Sequence, residues 1–326
     1  MAPDRTPIQF DGPAGAAGPA GPTTLACPGG GADRPAGPVL GTDCWILSGP
    51  TAAGKTALAL DLAARLDAEI VSVDSMAVYR GLDIGTAKPS PHEQSRVPHH
   101  VIDVVPPGEP YSIARWLADA AAALHAIRGR GRQILFVGGT PLYLRALRDG
   151  LAPLPAEDPA FRRQLLDEVD THGSAAVHAR LATIDPVAAA RIHPNDVKRI
   201  VRALEVAHTS GRPISAAFAP DPHPIFDTQM LVVDLPRRLL GERIDRRVEE
   251  MFDRGLVDEV RQAAAQPGGI GPTARQAAGY AECLELLAGR LAHDEAIRLT
   301  QQRTRQLAKR QLTWLRSFKG AVWITA

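Results

Sequence analysis

The residues Gly49-Pro50-Thr51-Ala52-Ala53-Gly54-Lys55-Thr56 fit the spacing G-x-x-x-x-G-K-[ST] of a phosphate-binding loop. Its glycines allow a tight turn whose backbone N–H groups converge on phosphate oxygens, helped by the positive end of the helix that follows. Lys55 adds a cation for the terminal phosphates, and Thr56 offers a hydroxyl to Mg2+. Such a loop binds a polyphosphate; it does not say which one, or that ATP is hydrolysed. Asp74 closes the next apolar run, Glu69-Ile70-Val71-Ser72-Val73. In open α/β sheets, ligands gather outside the carboxyl ends of the strands. Asp74 is therefore placed either to hold the shell of a metal ion or to accept a proton, and spacing alone does not separate the two. Gly138-Gly139-Thr140 ends another apolar run on the same side, where two glycines admit a close ligand or simply make a tight turn.

These residues need a sheet to position them. Cys44–Ser48, Glu69–Asp74, Val101–Val105, Ile134–Val137, Met230–Asp234 and Ala321–Ile324 read as strands. Helical patterns run over Lys55–Leu66 and from a Ser112 cap to about Arg128. Strands alternating with helices predict an α/β fold with a parallel sheet and helices on both faces. After Leu151 the pattern is helical only: about Asp158–Thr171, Ser174–Thr183, Asp185–Ile192 and Asn195–Ser210, followed by a Pro-rich loop. We expect a catalytic core over 43–154 and 226–326, with a small helical insertion over 155–225. Three more helices, about Arg237–Arg254, Ala274–Leu287 and His293–Ser317, complete the core.

Residues 1–42 contain 17 Gly or Pro and little that could form a core, so a disordered tail is expected there. No apolar window of about 18 residues occurs, so no membrane span is expected. Three cysteines far apart exclude a disulfide framework and suit a reducing, cytoplasmic setting. The 37 basic and 36 acidic residues nearly cancel, yet their distribution is uneven. From Ala296 to Ala326 there is no acid, while Arg298, Arg303, Arg305, Lys309, Arg310, Arg316 and Lys319 are basic. Lys198, Arg199 and Arg202 form a second cluster, and Arg162 with Arg163 a third. Each alone reads as a solvated helix face; together they favour a polyanionic partner larger than a nucleotide.

Several strings together resemble the tRNA dimethylallyltransferase family of bacterial type. They are the phosphate loop, Ser72-Val73-Asp74-Ser75, Tyr79–Pro89, Val137–Tyr143, Asp185–Asp196, Arg199 with Arg202–Val206, Gly279-Tyr280, and Thr304–Trp314. The likeness runs from about Trp45 to Trp323. The resemblance implies a P-loop NTPase-like core, Mg2+, and transfer of a dimethylallyl group from dimethylallyl diphosphate to N6 of the adenosine beside the anticodon of tRNA. It implies that the loop holds the diphosphate of the donor, with Thr51 also at a substrate-contacting position, and that Asp74 is the base. Arg243 is a further candidate diphosphate ligand. The resemblance places tRNA contacts at Asp74, Ser75, Met76 and Ala77, at Thr140, and at Arg162. It adds Lys198, Arg199, Ile200, Val201 and Arg202, then Arg275, Gln276, Ala277, Ala278, Gly279 and Tyr280. The last set is Thr304, Arg305, Gln306, Leu307, Ala308, Lys309, Arg310 and Gln311. A monomer is expected. Three rivals are a small-molecule kinase using ATP, a nucleotide-gated RNA-binding module, and a prenyltransferase acting on free adenine nucleotides. The first leaves the acid-free stretch unexplained, the second gives Asp74 no role, and the third leaves the C-terminal strings unused.

Overall fold

The computed structural model describes residues 40–152, 154–217 and 230–325. The expected tail, 1–42, lies almost wholly outside the described residues, as does most of the Pro-rich loop. Among the described residues the strands are β1 (Cys44–Ser48), β2 (Ala68–Ser72), β3 (His99–His100), β4 (Gln133–Val137), β5 (Met230–Asp234) and β6 (Val322–Thr325). They form one sheet in the order β3-β2-β4-β1-β5-β6, and every pairing is parallel. Buried on both faces, the central strands need no polar alternation, which is why they read as continuous apolar runs.

The helices are α1 (Lys55–Leu66), α2 (Pro91–Arg96), α3 (Ile113–Gly129), α4 (Pro141–Asp149), α5 (Pro159–His172), α6 (Ser174–Ile184), α7 (Pro186–Arg191), α8 (Val197–Ser210), α9 (Ile214–Ala217), α10 (Arg237–Asp253), α11 (Leu256–Ala264), α12 (Tyr280–Leu287) and α13 (His293–Leu315). Side chains of a strand alternate between faces. Ile46, Ile134 and Phe136 accordingly join one apolar cluster with Trp116 and Leu124 of α3 and Tyr143 of α4. Leu47 and Leu135 join the opposite cluster with Leu60 of α1, Leu240 of α10 and Leu312 of α13. Trp116 is fully buried, and its indole N–H donates to the Ser72 carbonyl at 3.0 Å, which ties α3 to the end of β2.

Helices α5 to α8 bury a third apolar cluster of their own, including Phe161, Leu165, Val177, Leu181 and Leu204. Aspartates start three of them: Asp158 accepts from the Ala160 and Phe161 N–H groups, Asp185 from Ala188, and Asp196 from Arg199. All described residues nonetheless belong to one compact unit.

Three expectations about elements are corrected. The strand expected at Val101–Val105 is absent: Val101 and Asp103 have φ of 60° and 53°, and a single bridge joins Val105 to Tyr79. The edge strand is instead the preceding pair, His99–His100. The helix expected over Ala274–Leu287 is split, because Gly279 takes φ of 86° between a short 3-10 turn and α12. Helices α2, α4 and α11 were not anticipated, nor was the short α9 at the start of the expected Pro-rich loop.

Candidate active site

β1 delivers its chain end to the phosphate loop. Gly49 passes so close to β5 that a Cβ there would lie 2.7 Å from the Val233 carbonyl oxygen. Gly54, at φ of 91°, is the left-handed residue that opens α1, and no side chain caps that helix. Its first-turn N–H groups are thus left for an anion. Beside them lies a cavity of about 400 Å3.

Lys55 reaches back inside the loop, donating from Nζ to the carbonyls of Gly49 (3.0 Å) and Pro50 (2.7 Å). Burial pulls its pKa down to about 8; the nearby charge of Arg247 pulls the same way, and the Asp74 carboxylate opposes both. Arg247 lines the cavity from α10. Burial lowers its pKa too, offset in part by Asp74. Arg243 lies one helical turn earlier, its Nη1 3.7 Å from the position a Cβ on Gly54 would take. The sequence reading named Arg243 and missed Arg247, although an i, i+4 arginine pair on the helix after the returning strand was visible as the signal.

Asp74 stands two residues beyond β2, half-buried at the cavity wall. Its Oδ1 accepts from the Met76 N–H at 2.8 Å, fixing the turn. The Ser75 N–H donates to Thr140 Oγ1 at 3.1 Å, so the two strand-end loops hold each other. The Gly138-Gly139 pair is explained by backbone packing. A Cβ on Gly138 would fall 2.2 Å from the Val73 oxygen, and one on Gly139 would fall 2.8 Å from the Gly49 oxygen. Gln311, from α13, clasps both loops: its Oε1 accepts from the Thr51 N–H at 2.9 Å, and its Nε2 donates to the Gly139 carbonyl at 2.8 Å.

Across the cavity run the loop between β2 and β3, with Ala77 and Ala87, and the segment after β3, with Ile102; they present an apolar surface that Ile70 and Val137 continue. Three non-glycine residues of this region are left-handed: Ala87 (48°), Val101 (60°) and Asp103 (53°). Such conformations cost on the order of 1–3 kcal/mol each, so the surroundings must impose them. Lys88 does part of this. Its Nζ, almost fully buried, donates to the Tyr79 carbonyl (2.5 Å) and pairs with Asp83 (2.7 Å) and Asp103 (2.5 Å). Glu259 of α11 adds a second clasp, accepting from the N–H groups of Asp83 (2.7 Å), Ile84 (2.7 Å) and Gly85 (3.2 Å) and from the Tyr280 hydroxyl. Lys88 and Glu259 were not singled out by residue-level reading.

The structure brings Thr51, Ala52, Gly54, Lys55, Thr56, Asp74 and Ala77 to one cavity, while Ala53 is buried beneath the loop. Thr140, Ser75 and Met76 are half-buried around Asp74. Lys198, Arg199, Arg275, Gln276, Arg305, Gln306, Leu307, Lys309 and Arg310 are exposed, and Ala278 is half-buried. Ile200, Val201, Ala277, Gly279, Tyr280, Thr304, Ala308 and Gln311 are buried, so their side chains are spent on packing or on internal hydrogen bonds. Arg162 and Arg202 converge on Glu205, which is fully buried. Arg162 Nε lies 2.7 Å from its carboxylate, and Arg202 also donates to the Pro155 carbonyl at 2.9 Å.

A family model described as IPP transferase matches residues 77–318, and one described as isopentenyl transferase matches residues 42–101. The chain is 50% identical over 283 residues to the tRNA dimethylallyltransferase of Anaeromyxobacter dehalogenans, covering 86% of this chain and 93% of that one. It is 47% identical over 286 residues to the tRNA dimethylallyltransferase of Geobacter metallireducens, covering 86% and 91%. Among solved structures it resembles a tRNA isopentenylpyrophosphate transferase from Bacillus halodurans, with TM-score 0.62, 38% identity, and 86% and 89% of the two chains covered. It also resembles a eukaryotic dimethylallyltransferase captured acting on tRNA, with TM-score 0.71, 29% identity, and 86% and 73% covered. An anion loop, a carboxylate beside it and a likeness that spans both halves of the sheet place this chain in the IPP transferase family, the family of the tRNA dimethylallyltransferases.

Proposed function

We propose that the protein transfers a dimethylallyl group from dimethylallyl diphosphate to N6 of the adenosine on the 3′ side of the anticodon in tRNA, releasing diphosphate. One observation carries the reading: a single cavity holds the phosphate loop, the cations Lys55 and Arg247, an apolar wall and the Asp74 carboxylate. A kinase site would need no apolar wall for a five-carbon chain. The relatives, tRNA dimethylallyltransferases, support the same group and the same acceptor.

In this mechanism the loop N–H groups, Lys55 and Arg247 bind the diphosphate, with Arg243 at the edge. Lys55 turns from the Gly49 and Pro50 carbonyls to the phosphate oxygens. As the C–O bond lengthens, negative charge grows on the leaving diphosphate, and these fixed cations stabilise it. Positive charge spreads over the allylic carbons against Ala77, Ile102 and Val137, walls that exclude water. The adenine amine is a weak nucleophile because its lone pair is conjugated with the ring. Asp74 removes its proton as the new C–N bond forms. The adenosine must leave its stack to reach this carboxylate, and the helices α5 to α8 are taken as the part that closes over the anticodon loop.

Mg2+ fits the donors present. Thr56 lines this cavity and offers its hydroxyl, and Mg2+ characteristically takes one or two protein oxygens together with substrate phosphates and waters, which leaves the Asp74 carboxylate to the proton. Bound there, it would supply further neutralisation of the diphosphate. The same reading takes the working unit as a monomer in the cytoplasm.

The test uses purified protein, unmodified tRNA and isotope-labelled dimethylallyl diphosphate, with mass analysis of the nucleosides. Label on N6 of the anticodon-adjacent adenosine is the expected result. Faster labelling of AMP than of tRNA, or ATP consumption without prenyl transfer, would overturn it.

A further inference from the structure

A second cavity, of about 380 Å3, opens between α4 and α13 and is not used by the mechanism above. Trp314, Phe318, Arg145 and Arg148 form most of its lining. Trp314 follows Gln311 by three residues, and Arg145 follows the start of α4 by four. About one helical turn, roughly 5 Å, therefore separates this cavity from the catalytic rim along both helices. At 100° per residue, Arg303, Leu307, Arg310 and Trp314 share one stripe of α13. Trp314 is 40% exposed and Leu307 37%, while Leu142 at the start of α4 is 55% exposed.

The chemistry of the lining is specific. The Arg145 guanidinium lies 6.0 Å from the centre of the Trp314 ring, and that of Arg148 lies 4.7 Å from the centre of Phe318. Both arginines pair with the Asp149 carboxylate, at 3.3 and 2.6 Å. From Ala296 to Ala326, the stretch that carries Trp314, there is no acid, and Arg316 and Lys319 add further cations. An exposed indole face beside guanidinium groups is what stacks an unpaired base and holds its phosphate.

We propose that this cavity is a stacking subsite for an unpaired nucleotide of the substrate RNA, a loop neighbour of the adenosine presented to Asp74. The proposal rests on the tRNA prenyl-transfer reading. Drawing one base out of a loop strips its neighbours of a stacking partner. A platform one turn from the rim replaces that partner and keeps the loop open.

The experiment measures binding of an unmodified anticodon stem–loop RNA, and prenyl transfer to it, for wild type, Trp314→Ala, Trp314→Phe and Arg145→Ala. Trp314→Ala is expected to weaken RNA binding about tenfold or more, and Trp314→Phe by less than about threefold. The KM for dimethylallyl diphosphate stays unchanged. Arg145→Ala lowers the salt dependence of RNA binding, whereas Trp314→Ala leaves it alone. An abasic substitution at the stacked loop position costs wild type what Trp314→Ala costs, and costs the variant nothing more. This cycle, with Trp314→Phe, decides the matter even if Trp314→Ala loses stability. Wild-type RNA affinity in Trp314→Ala, or equal losses in the Ala and Phe variants, would overturn the subsite alone. A wild-type protein that transfers no prenyl group to RNA would overturn the parent reading as well.

Discussion

Asp74 and Lys55 share one cavity but answer to different measurements. Asp74→Asn keeps an oxygen to accept from the Met76 N–H, so the turn survives while the proton acceptor is lost. We expect kcat to fall by about 10²–10⁴ with RNA affinity within about twofold of wild type, measured by single-turnover transfer and direct binding. Full turnover in this variant would remove Asp74 as the base. Lys55 titrates near pH 8 in the ligand-free protein because burial and Arg247 disfavour its charge. Donor binding needs the ammonium, so kcat/KM for the donor falls by up to about tenfold per pH unit above about 8. Stability moves the other way. The folded pKa lies below the ordinary 10.5, so the unfolded chain holds the proton more tightly between about 8 and 10.5. In that window the ligand-free protein gains stability as pH rises. Thermal unfolding of wild type against Lys55→Met checks this, since the variant should lack the gain. Asp74→Asn should also move the pH limb of donor binding lower, because the carboxylate is what raises the Lys55 value.

At the scale of elements, the helices α5 and α8 are joined through one buried acid. Burial works against the Glu205 charge, yet Arg162, Arg202 and the Asp158 N–H hold its pKa below the usual carboxylate range. Glu205→Gln keeps the shape but removes the buried charge that faces both guanidinium groups, leaving Arg162 only Glu157 at 2.8 Å, at a cost of about 3 kcal/mol. Hydrogen exchange should speed up in α5 and α8 while β1, β4 and the phosphate loop stay protected. Unchanged exchange in α5 and α8 would show that Glu205 organises nothing. Elements also show where sequence was readable. Strands β1, β4 and β5 were legible because burial on both faces leaves plain apolar runs. The run Val101–Val105 looked alike, but Lys88 and its two aspartates draw that segment into left-handed backbone, a tertiary cause that no local pattern displays. Helix α4 was hidden because Pro141, after Gly138-Gly139-Thr140, reads as part of a turn, although proline is well tolerated in a first helical turn. The phosphate loop and Asp74 were legible as a motif and its spacing. Arg247 and Glu259 were not, because the groups they face lie far away along the chain; Lys88 was not, because its partners Tyr79, Asp83 and Asp103, 9, 5 and 15 residues off, meet it only once the loop has folded.

At the scale of the whole molecule, a net charge of +1 conceals a basic surface, and ion pairing decides how much of it an RNA meets. Of the seven cations after Ala296, Arg298 pairs with Glu295 at 3.5 Å, Arg303 with Glu282 at 2.5 Å, and Arg305 with Asp245. Lys309, Arg310, Arg316 and Lys319 have no acidic partner among the described residues, and Lys198 and Arg163 of the insertion are alike in this. Arg162 and Arg202 face Glu205 instead. Counting only unpaired cations leaves about four to six to displace counterions from an RNA. At about 0.7 per contact for unpaired strands, the slope of log K against log salt should be about −3 to −4. Affinity for an anticodon stem–loop would then fall roughly a hundredfold between 50 and 200 mM salt. A slope near zero would deny these residues any role in RNA binding. A slope much steeper than about −5 would mean that the paired arginines leave their carboxylates when RNA arrives, and the internal ion pairs would then have to be counted as part of the RNA surface.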